Sequence, residues 1–185
     1  MNLFSIVCIV WILSEVMLNR LTRAGKSDKP SADKNSELYI WLSIIVSLTV
    51  SIVVSKMFLF PIFINDWFLM MGIIIIILGI IIRLAAVKQL GRFFTVDVTI
   101  RKDHQLMQSG FYKYIRHPSY TGSLISFLGF GLTLNNWLSL AIVFLAVLTT
   151  FIHRMNIEEK VLTEQFGRQY LDYCSKTKRL IPFVY

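Results

Sequence analysis

The chain alternates between long apolar blocks and short polar interruptions. Residues 3–18, 38–60, 67–87, 119–134 and 137–152 are each nearly uncharged. A bilayer core of roughly 30 Å calls for about 20 helical residues, which the second and third blocks supply. The first, fourth and fifth hold about 16 residues each, or roughly 24 Å at 1.5 Å per residue. Blocks of that length borrow flanking residues, thin the bilayer locally, or dip in and return as a hairpin. The pattern predicts an all-α integral membrane protein with about five transmembrane helices and a cytoplasmic C-terminal helix. That last helix follows from Val161, Leu162, Phe166, Tyr170 and Tyr173, which recur at threes and fours and draw an apolar stripe over residues 156–176. Glu158 and Glu159 then fall in its first turn, where the helix dipole favours acids. Gly167 in its interior costs about 1 kcal/mol and marks a close contact.

The interruptions divide the chain. Residues 19–37 are polar and charge-dense, with Gly25 and Pro30, and read as a mobile cytoplasmic loop. Residues 61–66 and the pair Asn135-Asn136 read as short turns between antiparallel helices. Gly72 and Gly79 share one helical face and permit close helix contact; Gly129 and Gly131 are read the same way. Residues 1–88 are thus expected to be scaffold, and residues 89–185 a catalytic half. That half holds a cofactor loop, a helix hairpin and the final helix. Pro118 has φ near the helical value and no N–H, so a helix is expected to begin there, with His117 just outside.

Composition sharpens this reading. The 185 residues are 55% hydrophobic, mean hydropathy is +0.62, and the net charge is +8. Such a charge can signal nucleic acid, but its distribution argues against that. With both turns on one side, all but Lys56 of the 19 Lys and Arg fall on or near the other. This is the positive-inside pattern, with an external N-terminus, a cytoplasmic C-terminus and attraction to anionic headgroups. The compact length points to a prokaryotic inner membrane. Cys8 and Cys174 fall on opposite sides, which excludes a disulfide, and neither belongs to a metal motif. No metal site is expected. No basic region precedes the first block and no small-x-small site follows it, so a cleaved signal peptide is not expected.

The candidate chemistry collects in residues 110–122, Gly-Phe-Tyr-Lys-Tyr-Ile-Arg-His-Pro-Ser-Tyr-Thr-Gly. A cation, an imidazole and three tyrosines gather where a membrane helix leaves water. Other charged groups carry bland alternatives. Glu15 is a functional candidate as an acid in a membrane helix, or a water-reaching or Arg20-paired side chain. His104 is a ligand, an acid–base group or a solvated loop residue. Glu158 and Glu159 are site residues or solvated helix-start charges. The hairpin returns the chain at His153-Arg154 close to where Arg116-His117 left it.

Taken in order, Asp103-His-x-Leu, Ser109-Gly-x-Tyr, Arg116-His-Pro-Ser-Tyr-x-Gly122, Arg154-x-x-x-Glu-Glu159, Phe166-Gly-x-x-Tyr170, Tyr173 and Ile181-Pro-Phe183 are specific as a set. Over about residues 91–183 the chain resembles the isoprenylcysteine carboxyl methyltransferase family, whose relatives include membrane phospholipid methyltransferases. The resemblance implies several membrane helices and a pocket for S-adenosylmethionine roofed by the C-terminal segment. It implies that His104, Leu106, Tyr112, His117, Pro118, Ser119, Tyr120 and Glu158 line that pocket, with Gln105 and Met107 adding backbone or wall contacts. It also implies that Arg154 binds the carboxylate of a lipid-like or lipidated acceptor, with Arg116 as helper. The family often has Gln where this chain has Asp97.

Residue chemistry agrees with that implication. Tyrosine faces attract a sulfonium, and Glu158 offsets its charge or holds the ammonium. No Gly-x-Gly-x-x-Gly signature is present, so the soluble dinucleotide-type fold is not indicated. A carboxylate acceptor, with an unperturbed pKa near 4, needs no general base, and arginine grips it at two points. Two other readings compete. A phospholipid N-methyltransferase would need His117 or a glutamate as base, with the arginines on phosphate. A haem-binding or purely structural membrane protein would use His117 and His153 as ligands.

Overall fold

The computed structural model of the protein describes residues 2–22, 36–64, 67–96, 98–100 and 103–185. Gly25 and Pro30 of the expected mobile loop, and Asp97, lie outside the described residues. The described chain is helical, without a sheet. It forms α1 (Leu3–Leu21), α2 (Ser36–Met57), α3 (Phe68–Leu90), α4 (Pro118–Thr133), α5 (Trp137–Phe166) and α6 (Arg168–Lys176), with 3-10 turns at Gly91–Phe93 and Gly110–Lys113. Among the described residues, α1, α2, α3 and α5 are long and apolar enough to cross a membrane. At 16 residues, α4 is shorter. Each of the five apolar blocks is a helix, and four of them have spanning length.

The short α4 is the most enclosed helix because α3 lies directly against it. A Cβ on Gly79 would stand 2.6 Å from the Gly122 carbonyl, and one on Gly129 would stand 2.7 Å from the Gly72 carbonyl. The glycines thus let the two backbones touch, and Ser126 Oγ donates across the seam to Ile76 O at 3.2 Å. Ile74, Ile77, Leu78 and Ile81, on the far side of α3, are exposed. An all-apolar outer face of this kind suits lipid.

α2 and α5 meet through hydroxyls. Ser51 Oγ donates to Ser139 O and Ser139 Oγ to Ser51 O, at 3.1 and 2.8 Å, and Ser43 Oγ lies 2.8 Å from Thr150 Oγ1. Small polar residues supply such interhelical bonds where no water competes. Trp11 of α1 packs edge-on against Phe127 of α4 at 4.8 Å, within a core that includes Ile76, Val143, Val147 and Phe151.

The two turns sit together at one end of the bundle. Asn136 caps α5, accepting from Ser139 N–H at 3.0 Å, while its amide donates to Phe58 O at 2.6 Å. Asn135, with φ +46°, accepts from Ile62 and Phe63 N–H at 3.1 and 2.9 Å. Asn136→Ala removes the cap from the buried Ser139 N–H and the bond that ties α5 to Phe58. It is expected to lower stability by about 1–2 kcal/mol, read as a fall in the thermal midpoint of the purified protein; an unchanged midpoint would contradict the stitched-turn account.

The expected separate helix over residues 156–176 is corrected. α5 runs unbroken from Trp137 to Phe166. No Gly or Pro interrupts that stretch, and Arg154 and Glu158 pair one turn apart inside it at 3.2 Å. Glu158 and Glu159 therefore lie mid-helix, where the dipole does little. Gly167 is a helix end instead of an interior contact. Its φ is +53°, and a Cβ there would meet nothing within 4 Å. Its use is the backbone conformation that ends α5 and redirects the chain into α6.

Candidate active site

Pro118 opens α4, so His117 and the residues beside it project from a fixed helix start. The tail after α6 lies along the preceding strand-like segment. Arg116 N–H donates to Lys178 O at 2.7 Å, Lys178 N–H to Tyr114 O at 3.1 Å, and His117 N–H to Arg179 O at 3.0 Å. α5 meets this corner from the other side, one turn after it leaves the apolar core.

Two adjacent acids on α5 organise the corner. Tyr120 Oη donates to Glu158 Oε1 at 2.5 Å, Arg154 Nε to the same oxygen at 3.2 Å, and His117 Nδ1 lies 3.5 Å from Glu158 Oε2. Glu159 takes Arg116 Nε at 2.8 Å and Arg179 Nη2 at 2.6 Å, and its Oε1 lies 3.2 Å from His117 Nε2. Both ring nitrogens of His117 thus face glutamates. Arg154 is 2% exposed, and its Nη1 and Nη2 donate to Ser36 Oγ of α2 and to Val96 O. Arg116 Nη1 donates to Thr177 O at 2.6 Å, so that guanidinium ties α4, α5 and the tail together.

Aromatic rings close the same corner. Tyr112 is buried, its carbonyl accepts from Tyr173 Oη at 2.6 Å, and burial holds its phenol well above the ordinary range. His104 sits between the rings of Phe93 and Phe166, with centroids at 5.0 and 5.7 Å. Tyr120 leans on Phe151 at 4.8 Å.

Several of these groups line one cavity of about 310 Å³, whereas Glu159 and Phe166 stand behind its wall. Its polar end carries His104, Tyr112, Arg116, His117, Tyr120, Arg154 and Glu158. Its apolar limb runs down between Cys8, Trp11 and Ile12 of α1, Ile40, Ile44 and Leu48 of α2, and Phe127 and Phe130 of α4. A charged, aromatic chamber is therefore continuous with a greasy channel. That geometry suits a polar small molecule meeting the head of a lipid-like one.

The family model described as phospholipid methyltransferase matches residues 67–169, more than half of the chain. The chain belongs to the phospholipid methyltransferase family. Its α3, α4 and α5 lie within the matched region, whereas α1 and α2 precede it. Similar curated proteins include protein-S-isoprenylcysteine O-methyltransferase A of Arabidopsis thaliana, 36% identical over 154 residues, covering 82% of this chain and 75% of the relative. Protein-S-isoprenylcysteine O-methyltransferase B of the same plant is 38% identical over 120 residues, covering 64% of this chain. The chain spans 61% of that relative's length. Among solved structures, the eukaryotic intramembrane Ras methyltransferase, an isoprenylcysteine carboxyl methyltransferase, is similar with a TM-score of 0.60 and 29% identity. It covers 80% of this chain, which spans 51% of it. With four apolar helices of spanning length and this likeness to an intramembrane enzyme, the phospholipid methyltransferase family member described here is an integral membrane protein.

Within this family member the residues singled out from sequence are unequally placed. His104, Leu106, Met107, Tyr112, Arg116, His117, Ser119, Tyr120, Arg154 and Glu158 all line the cavity. Gln105 is exposed and Pro118 is buried in the start of α4; neither is on the cavity wall. Three groups were missed. Glu159, the hub of Arg116, Arg179 and His117, has no role assigned from sequence beyond that of a site residue or a helix-start charge; its place beside Glu158 in the motif is the available signal. Ser36 and Val96 escaped because nothing local shows that Arg154 reaches across to them. Glu15 pairs with Arg83 of α3, at 2.6 Å, a partner that the sequence reading does not name.

Proposed function

We propose that this protein is an S-adenosylmethionine-dependent methyltransferase that forms a methyl ester on a carboxylate of a lipid-like, isoprenylcysteine-type acceptor. The carrying observation is the single cavity that joins the Glu158–Tyr120–His117 chamber to an apolar limb between α1 and α2. The chamber fits the donor chemically. Glu158 suits the donor's ammonium or offsets its sulfonium, the faces of Tyr120 and Tyr112 suit a soft cation, and His104 and the 106–107 segment suit the adenine side. When bound, S-adenosylmethionine supplies a methyl group made electrophilic by the attached sulfonium.

The remaining work falls to the chain's own groups. Arg154 is proposed to orient the acceptor carboxylate, and Arg116 to hold the α4 start and the tail in register around it. A carboxylate is already ionised at neutral pH, so orientation and exclusion of water replace proton removal. Residues 89–185 supply the chamber in this reading, and residues 1–88 the lipid-facing wall. The basic end of the bundle faces the cytoplasm, and the acceptor chain reaches the limb from the bilayer. His117 is a poor haem ligand here, because glutamates face both of its ring nitrogens.

Those same contacts support one other reading, an amine acceptor with His117 as the base, in keeping with the name of the family. Calorimetric titration with S-adenosylhomocysteine, followed by methyl transfer to matched carboxylate and amine amphiphiles, separates the two. The carboxylate ester is the expected product, with a rate nearly flat above about pH 5. Methylation of the amine alone, falling steeply at low pH, would replace the proposal. Arg154→Ala is expected to raise the acceptor KM or lower kcat by about 100-fold, a loss typical of a charged hydrogen-bonding partner, while changing donor affinity far less. Normal turnover by this variant would remove Arg154 from the role.

A further inference from the structure

Past α6 the chain folds back on itself in a closed turn. Leu180 and Ile181 N–H both donate to Tyr185 O, at 2.7 and 2.8 Å, and Val184 and Tyr185 N–H donate to Ile181 O at 3.1 and 3.2 Å. Pro182 has no N–H to satisfy. A turn that uses its backbone donors internally suits surroundings poor in water. Its side chains are apolar and unpacked: Ile181, Phe183, Val184 and Tyr185 are exposed, Phe183 by 85%. The segment before α4 adds Phe111 and Tyr114, also exposed, and is joined to the start of the turn where Lys178 N–H donates to Tyr114 O at 3.1 Å.

The helices fix how deep this patch lies. Trp67 and Trp137 are exposed at the end of the bundle that carries the two short turns, where aromatic rings mark a membrane boundary. Counted from Trp67 at 1.5 Å per residue, Arg83 of α3 stands roughly 24 Å away and Gln89 roughly 33 Å. A Cβ on Gly122 would lie 2.5 Å from Arg83 N. The adjacent Thr121 is therefore at the first of these levels, and its Oγ1 donates to Leu180 O at 2.8 Å. Phe111 N–H donates to Gln89 Oε1 at 3.1 Å, at the second level. The patch thus brackets the far boundary of a hydrocarbon core of roughly 30 Å.

Charge points the same way. Residues 110–122 and 176–185 contain Lys113, Arg116, Lys176, Lys178 and Arg179 and no acid. Glu159 takes both arginines, which leaves three exposed lysines beside the exposed rings. Lys113 Nζ lies 5.8 Å from the centroid of the Tyr114 ring. Rings at this depth with lysines beside them fit a leaflet that carries anionic lipid. We propose that the turn at residues 180–185, with Phe111 and Tyr114, is an interfacial anchor. Its apolar side chains enter the boundary between acyl chains and headgroups, and Lys113 and Lys178 hold anionic phospholipid headgroups. Arg179 ties this anchor to Glu159 and through it to His117, so one strut links the leaflet surface to the cavity corner. The anchor stands whichever acceptor the cavity takes.

The full chain with Cys8→Ala and Cys174→Ser carries a single Phe183→Cys, labelled with bimane, in vesicles of phosphatidylcholine and phosphatidylglycerol. Glu164→Cys, roughly 40 Å from Trp137 along α5, is the aqueous reference, and Val184→Cys takes over if Phe183→Cys does not fold. The label at 183 is expected to be quenched by lipid spin-labelled near the top of its acyl chain, and several-fold less by iodide than the label at 164. Spin-labelled phosphatidylglycerol should quench it about 5-fold more than the same share of spin-labelled phosphatidylcholine. Lys113→Gln with Lys178→Gln should make the two equal. Iodide quenching as strong as at 164 would put the turn in water. Protection from iodide and lipid alike would mean that a second copy or another protein covers it; either result overturns the anchor. Equal quenching by the two lipids before the lysines are changed, or a preference that survives their change, would overturn the headgroup contact.

Discussion

Glu158→Ala is expected to lower affinity for S-adenosylhomocysteine by at least about 100-fold, as loss of a charged partner from a desolvated site does. Glu158 is the group on which Tyr120 Oη, Arg154 Nε and His117 Nδ1 converge, at 2.5, 3.2 and 3.5 Å. Without it, Tyr120 loses its acceptor, and Arg154, 2% exposed, keeps a buried charge without a carboxylate. Removing one partner of a buried pair costs about 3–5 kcal/mol, so thermal stability should fall with affinity. Glu158→Gln separates these effects. It preserves the shape and an oxygen for Tyr120, but not the negative charge, and should recover stability more than donor binding. Titration calorimetry beside a melting curve reads both quantities. An alanine variant that melts earlier yet binds normally would make Glu158 a structural residue and take the donor out of this chamber.

The second large effect is expected at a position that touches no ligand. Gly79→Ala places a methyl carbon 2.3 Å from Ser126 Oγ, 2.5 Å from Ser126 N and 2.6 Å from Gly122 O. The side-chain oxygen can rotate away, but the backbone atoms cannot. α3 and α4 must therefore separate, and α4 carries His117 and Tyr120 at its start. Overpacking of this kind costs about 3 kcal/mol or more, and it should displace the whole corner. Gly167→Ala is the control. It adds the same methyl where φ is +53°, ψ is −125° and no atom lies within 4 Å, so only the backbone preference is lost, about 1–3 kcal/mol. Comparing the thermal midpoints and donor affinities of the two variants tests the claim. Equal losses would mean that the α3–α4 seam is not as tight as described.

Much of the cavity corner was visible before any helix was packed. Pro118 marks a helix start through its own ring, and Asn135-Asn136 marks a turn through φ and capping preferences. Both are properties of a few neighbouring residues. The ordered motif from Asp103 to Phe183 then brought ten of the named site residues to one cavity wall. Glu158 is identified by its place in that motif, although the helix it sits on begins at Trp137 and not near Asn156. The polar stretch after Ile152 looks like a break in the hydropathy pattern but is none in the backbone. An amphipathic helix leaving a membrane changes its surroundings without changing its backbone, so hydropathy alone does not reveal where it ends.

The sequence by itself determined which segments are helices buried in lipid, and where the aromatic and charged groups must collect. Those outcomes depend on hydrophobicity and dihedral preference, which each short stretch carries within it. Only the tertiary structure decided the partners: Glu15 with Arg83, Arg154 with Ser36 and Val96, and Glu159 with Arg116 and Arg179. A charge in an apolar helix must be paired, and several opposite charges are available along the chain. Which one it meets depends on the rotation of each helix about its axis. Here that rotation is set by backbone contact at Gly72, Gly79, Gly122 and Gly129 and by hydroxyl bonds such as Ser51 to Ser139, between residues far apart in the chain.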